Sequence, residues 1–149
     1  MYKLVKIESE VKQELRQAFK ETKKDLDPLM NHLRFKDITP RWWIKKQTKR
    51  FGCAGKCFEG TWRIFTKSPT GKKMKKWFTN LIILDRDYYR SNGLEELKLT
   101  FKHELLHLIA KDNHGNNFNY LVNACKTTRY CKPKIKLITK ADEGEAKVQ

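Results

Sequence analysis

The sequence predicts an α+β fold: an N-terminal helix, a small and mostly antiparallel sheet, and a closing pair of helices. Three observations carry this expectation. Near the N-terminus Leu4, Ile7, Val11, Leu15, Ala18 and Phe19 recur at three- and four-residue steps, the period of a helix with one apolar face. From Phe35 the pattern changes to two-residue alternation and short apolar runs broken by glycine, as strands and turns require. From Leu94 helical spacing returns, with one break at Lys111-Asp112-Asn113.

The first helix is expected over about residues 5–24, with Lys, Glu, Gln and Arg on its solvated face. Asp27-Pro28 suits a short helical restart, Asp27 capping and Pro28 at the first position, and Leu29, Met30 and Leu33 would continue the apolar contact. Phe35 to Ile38 reads as a short strand or the approach to one. Trp42, Trp43 and Ile44 begin a strand running to about Phe51. Gly52-Cys53-Ala54-Gly55 then makes a turn or bulge, and Cys57 to Phe65 is the returning strand. On it Phe58, Gly60, Trp62 and Ile64 share one face, and Glu59, Thr61 and Arg63 the other.

Lys67 to Trp77 is a break rich in turn residues and lysine. It is either a solvated loop or a phosphate-contacting one, in which Trp77 or Phe78 stacks on an unpaired base. Leu81-Ile82-Ile83-Leu84 is a buried strand. Asp85 to Ser91 is a connection or short helix, with Tyr88 and Tyr89 as packing residues. The next helix runs from Leu94 to Ala110, and Glu95 and Glu96 suit its positive first turn. Asn116 to Ala124 forms another helix. Its link to the first is short, so Phe118, Leu121 and Val122 fold back onto that helix. The alternation of Lys and apolar residues from Lys132 to Leu137 fits a last strand or a basic arm. A single domain is expected over residues 1–140, with a disordered tail over 141–149.

Composition narrows the function. There are 33 Lys and Arg against 17 Asp and Glu, a net charge of +16. Such a balance favours acidic partners. The chief candidate is DNA, bound as a single strand or without sequence preference; an anionic membrane is the weaker alternative. No apolar run is long enough to span a bilayer, and nothing after Met1-Tyr2-Lys3-Leu4 reads as a secretory signal. An intracellular monomer in cytoplasm, nucleoid or nucleus is expected. The four cysteines, Cys53, Cys57, Cys125 and Cys131, lack the spacing of a zinc ribbon. Reduced thiols, a disulfide and a second metal site all remain open for them.

The chemistry concentrates in Phe101 to Ala110, which contains His103-Glu104-Leu105-Leu106-His107. On a helix the two histidines stand one turn apart on one face, so both imidazoles reach one zinc ion, and Glu104 reaches a water beside it. His114 follows seven residues later, which places three of the four histidines in one short window. Leu105, Leu106, Leu108 and Ile109 bury the helix, and buried imidazole and carboxylate need partners that a metal would supply. The expected roles are zinc ligation by His103, His107 and His114, with Glu104 as general base. A rival is a basic nucleic-acid-binding module with a purely structural zinc; Glu104 argues against it, since a closed site needs no base. A zinc hydrolase of another substrate is the second rival.

Three pieces in order resemble the SprT-like family of zinc metallopeptidases: Arg50-Phe51-Gly52-Cys53-Ala54-Gly55-Lys56-Cys57, Leu99 to His107, and His114-Gly115-Asn116-Asn117-Phe118. The resemblance spans about residues 40–124. It implies a helix, a small sheet and a metal-bearing helix pair. It also implies His103, His107 and His114 as zinc ligands, Glu104 as general base, and hydrolysis of a protein or peptide substrate. Well-known eukaryotic members digest proteins crosslinked to DNA, which implies a part in DNA repair. This chain departs from the pattern in a shorter segment between His107 and His114. It also leaves no room for a long partner-binding tail, and shows no separate zinc ribbon.

Overall fold

The structure, a computed structural model, describes residues 4–44, 54–67, 70–111 and 115–124. Strand β1 (Leu4–Lys6) leads into helix α1 (Ser9–Asp25). The helix therefore starts later than its apolar period suggests, because the first residues pair with strand β2 (Thr39–Trp43) instead. Val11, Leu15, Ala18 and Phe19 form its buried face, as expected. Residues 27–32 are turns rather than a restarted helix, and the Asp27–Pro28 bond is cis. Met30 and Leu33 still reach the core, whereas Leu29 is exposed. Phe35–Asp37 is a short 3-10 turn, not a strand.

Strands β3 (Gly55–Lys67) and β4 (Lys73–Asp85) complete a mixed sheet in the order β1-β2-β4-β3. Two of its three pairings are antiparallel, β1 with β2 and β3 with β4; β2 and β4 run parallel. The strand expected to return onto β2 thus pairs with β4 instead. The reason is the Leu81–Leu84 run, which is fully buried and must be covered on both faces and both edges. Ile82 and Leu84 enter the main core with α1 and helix α3 (Leu94–Ala110). Leu81 and Ile83 enter a second cluster on the other face with Trp43, Ile64 and Phe78. The register shifts between Phe58 and Thr61, a bulge beyond which the alternation of β4 is reversed, so that Phe78 joins Leu81 and Ile83 on the face away from the helices.

Helix α2 (Arg86–Asn92) is capped by the Asp85 carboxylate, which accepts from the backbone N–H groups of Asp87 and Tyr88. Gly93, at φ 93° and ψ 177°, ends α2 and starts α3, a backbone conformation open to glycine alone. Tyr89 stacks on Trp42 with ring centroids 5.2 Å apart, and the Trp42 indole donates to Glu8 at 2.7 Å. α3 lies against α1 in a seam that includes the buried Lys102 ammonium, 3.1 Å from Glu21, and Lys98 near Glu14. Helix α4 (Asn116–Ala124) folds back so that Phe118, Leu121 and Val122 pack with α3 in the main core. No helix among the described residues is long and apolar enough to cross a membrane.

Candidate metal centre

α3 is buried over most of its length because it lies between α1, the sheet and α4. Its helical period sets His103 and His107 one turn apart, with ring centroids at 5.0 Å. His103 and Glu104 are buried, and His107 is half-buried. One ligand atom from each of His103, Glu104 and His107 lies within 4.8 Å of the others.

β3 closes over Glu104. Gly55 sits so near α3 that a Cβ there would stand 2.9 Å from Thr100 Cγ2, 3.2 Å from the Ile83 carbonyl oxygen and 3.3 Å from Glu104 Cγ. This explains why a residue without a side chain begins the strand. Burial raises the proton affinity of Glu104, pushing its pKa up to about 8, and the nearby Lys56 ammonium partly opposes the shift. Cys57, two residues after Gly55, has its thiol pushed up by burial and then by the Glu104 and Glu59 charges. It is a free thiol, inert as a nucleophile in this setting. At the other end of α3, Lys111 in the left-handed conformation terminates the helix, and its ammonium reaches Glu59 at 3.5 Å.

Phe118 of α4 forms the floor under both imidazoles. His107 stacks on it at 4.3 Å and an interplanar angle of 19°, while His103 meets it edge-on at 4.8 Å. The packing of α4 against α3 thereby delivers a ring that limits how far either histidine can rotate.

Two imidazoles and a carboxylate, converging and partly dry, suit a divalent ion that accepts nitrogen and oxygen ligands. The residues fit a metal of that kind. The chain belongs to the SprT-like family. Its family model matches residues 23–137, which include strands β2 to β4 and the helix pair. SprT-like domains are associated with zinc metallopeptidase-like proteins. No curated protein and no solved structure matches the chain.

The SprT-like motif in α3 is therefore assembled as its spacing predicts. His114, expected to be the third ligand, lies outside the described residues, as do Cys53, Cys125, Cys131 and the segment from Lys132 to Gln149. The Tyr88 hydroxyl donates to Glu96 at 3.4 Å, and Tyr120 is exposed. Two residues gain a role at the site that the sequence alone does not give them. In the sequence Gly55 reads as part of a glycine turn and of the family-like Arg50 to Cys57 piece, and Phe118 as an apolar position facing α3 and the end of the family-like His114 to Phe118 piece.

Gly55→Ala is expected to destabilise the metal-free protein by about 1–3 kcal/mol, since the added methyl meets backbone as well as side chain. Thermal denaturation measures this. An unchanged midpoint would mean that β3 can retreat from α3 without cost.

Proposed function

We propose that this SprT-like chain is a zinc-dependent endopeptidase. The observation that carries the proposal is a buried carboxylate of raised basicity, Glu104, grouped with two imidazoles beside a strand at the edge of the described sheet. A structural site would have no use for such a base. His103 and His107 would hold the ion, with His114 proposed as the third ligand and Glu104 left for acid–base work. When bound, a zinc ion supplies Lewis acidity toward water and a peptide carbonyl.

The residues of the chain supply the rest. Glu104 accepts a proton from the attacking water and delivers it to the departing amine. Its packing against Gly55 fixes the carboxylate and keeps bulk water from one side. Among the described residues β3 is an edge strand of the sheet, and its outer backbone groups suit an extended substrate segment added as a further strand. That geometry favours an unfolded peptide over a compact small molecule. The substrates are proposed to be proteins carried on DNA, a reading supported by the net charge of +16.

Cleavage of an unfolded protein substrate is the test. Activity should disappear on chelation and return with zinc. His114→Ala should lower zinc affinity at least tenfold in a metal-competition titration. Unaltered affinity in that variant would remove His114 from the ligand set, and hydrolysis that persists without metal would overturn the proposal.

A further inference from the structure

The lysine-rich stretch before the buried strand is not a loop. From Lys73 onward it is β4, paired with β3 residue by residue to form an arm. Residues 71–77 are all exposed. The register sets Arg63 opposite Trp77 and Phe65 opposite Lys75, so these four side chains share one face as a two-by-two checkerboard of cation and ring. The Arg63 guanidinium lies 5.6 Å from the centre of the Trp77 ring, and the Lys75 ammonium 5.0 Å from that of Phe65. Lys73 continues the same row. Lys76 and Met74 point to the other face, with Ile64, Trp62 and Phe78. Phe78, expected to be available for stacking, is buried in the second cluster and so cannot serve.

Position sharpens the picture. Ile64 and Phe78 belong to the sheet face turned away from α3, so the checkerboard lies on the side that carries α3. β3 passes Glu104 at Gly55 and the end of α3 at Glu59, which pairs with Lys111. The arm therefore begins where the helix bearing His103 and His107 ends.

We infer that this arm face binds an unpaired nucleic-acid strand. Exposed rings are costly in water unless something covers them, and Trp77 is 66% and Phe65 49% exposed. Bases stack on such rings whatever their sequence, and interleaved cations meet the phosphates between them. Residues two apart on a strand stand roughly 6.8 Å from each other, a spacing that an extended nucleotide can follow. A duplex offers phosphates but keeps its bases stacked inward, so it uses the cations and leaves the rings idle. The inference goes beyond the peptidase reading and is independent of it, because it concerns binding alone.

The test uses the full chain and fluorescently labelled oligothymidine, its duplex form and polyglutamate as probes. Two charge-matched double variants are compared: Arg63→Ala with Lys75→Ala on the face, and Lys12→Ala with Lys76→Ala off it. The face pair should lower single-strand affinity at least tenfold and reduce the log–log salt slope by about 1.4, as two lost phosphate contacts require. The off-face pair should change affinity less than threefold. Trp77→Ala should weaken the single strand by roughly five- to a hundredfold while sparing the duplex, and Trp77→Phe should restore most of it. Equal losses in the two pairs, a preference for duplex, or equal affinity for polyglutamate would overturn the inference.

Discussion

Glu104→Gln is expected to lower peptide hydrolysis by roughly a hundred- to ten-thousandfold, the usual span for removal of a positioned general base, while zinc content stays at the parental level. The amide has the shape of the carboxyl group and fits beneath Gly55, but it cannot accept the proton of water. Activity is read as cleavage of an unfolded protein, and metal by elemental analysis. Near-parental activity would dismiss Glu104 as the base. Loss of the metal would instead make Glu104 a ligand. The metal-free proteins provide a second readout. Burial raises the folded-state pKa of Glu104 to about 8, above its unfolded value. The folded state therefore holds its proton more tightly, and stability falls as pH climbs from the unfolded to the folded pKa. The uncharged amide of the Glu104→Gln variant has no such loss. That variant should match the parent near pH 4 and exceed it by a few kcal/mol near pH 8, in denaturant titrations under chelation.

Phe118→Ala should be the most damaging single change to the framework of the site. The ring is fully buried in the main core, and truncation of such a residue costs about 3–5 kcal/mol through lost contacts and the cavity left behind. A second effect should appear at the metal. Without the ring that His107 stacks on at 4.3 Å, both imidazoles gain rotamers that must be frozen again on binding, and zinc affinity should fall by about tenfold or more. Phe118→Leu separates the two roles. It retains most of the apolar volume and should recover much of the stability, yet it offers no flat surface to His107. If Phe118→Leu restores stability and zinc affinity together, the ring is core packing and nothing more.

The helix pair was legible in the sequence because one period determines it. Leu94 to Ala110 carries both an apolar pattern and the His103, Glu104, His107 spacing, and its observed bounds coincide with those read from the pattern. α4 coincides likewise. The sheet was legible only in its parts. Leu81 to Leu84 shows burial, but adjacency in the chain suggested a hairpin of β3 with β2, and it is long-range burial that gives β4 the central place. The arm was hidden for a related reason: Lys73, Lys75 and Lys76 look like loop residues, and only pairing with β3 holds them extended. Gly55 against Thr100, and Phe118 beneath the histidines, are contacts between distant elements that no local pattern records.

The arm and the centre of the sheet are one pair of strands. β3 and β4 pair from Lys67 and Lys73 near the tip to Gly55 and Leu84 beside the metal group, with a single interruption at the bulge. Antiparallel hydrogen bonds lie across the strands. A pull on the tip along the arm draws both strands the same way and loads the pairing of β4 with β2 at the root in shear, whereas a pull that parts the two strands would peel their bonds open one after another. The hairpin is thus a stiff lever along its own axis, rooted in the fully buried Leu81–Leu84 segment. A load seized at the tip and dragged lengthwise would be resisted by the core of the domain itself, and would be held at a fixed reach from α3.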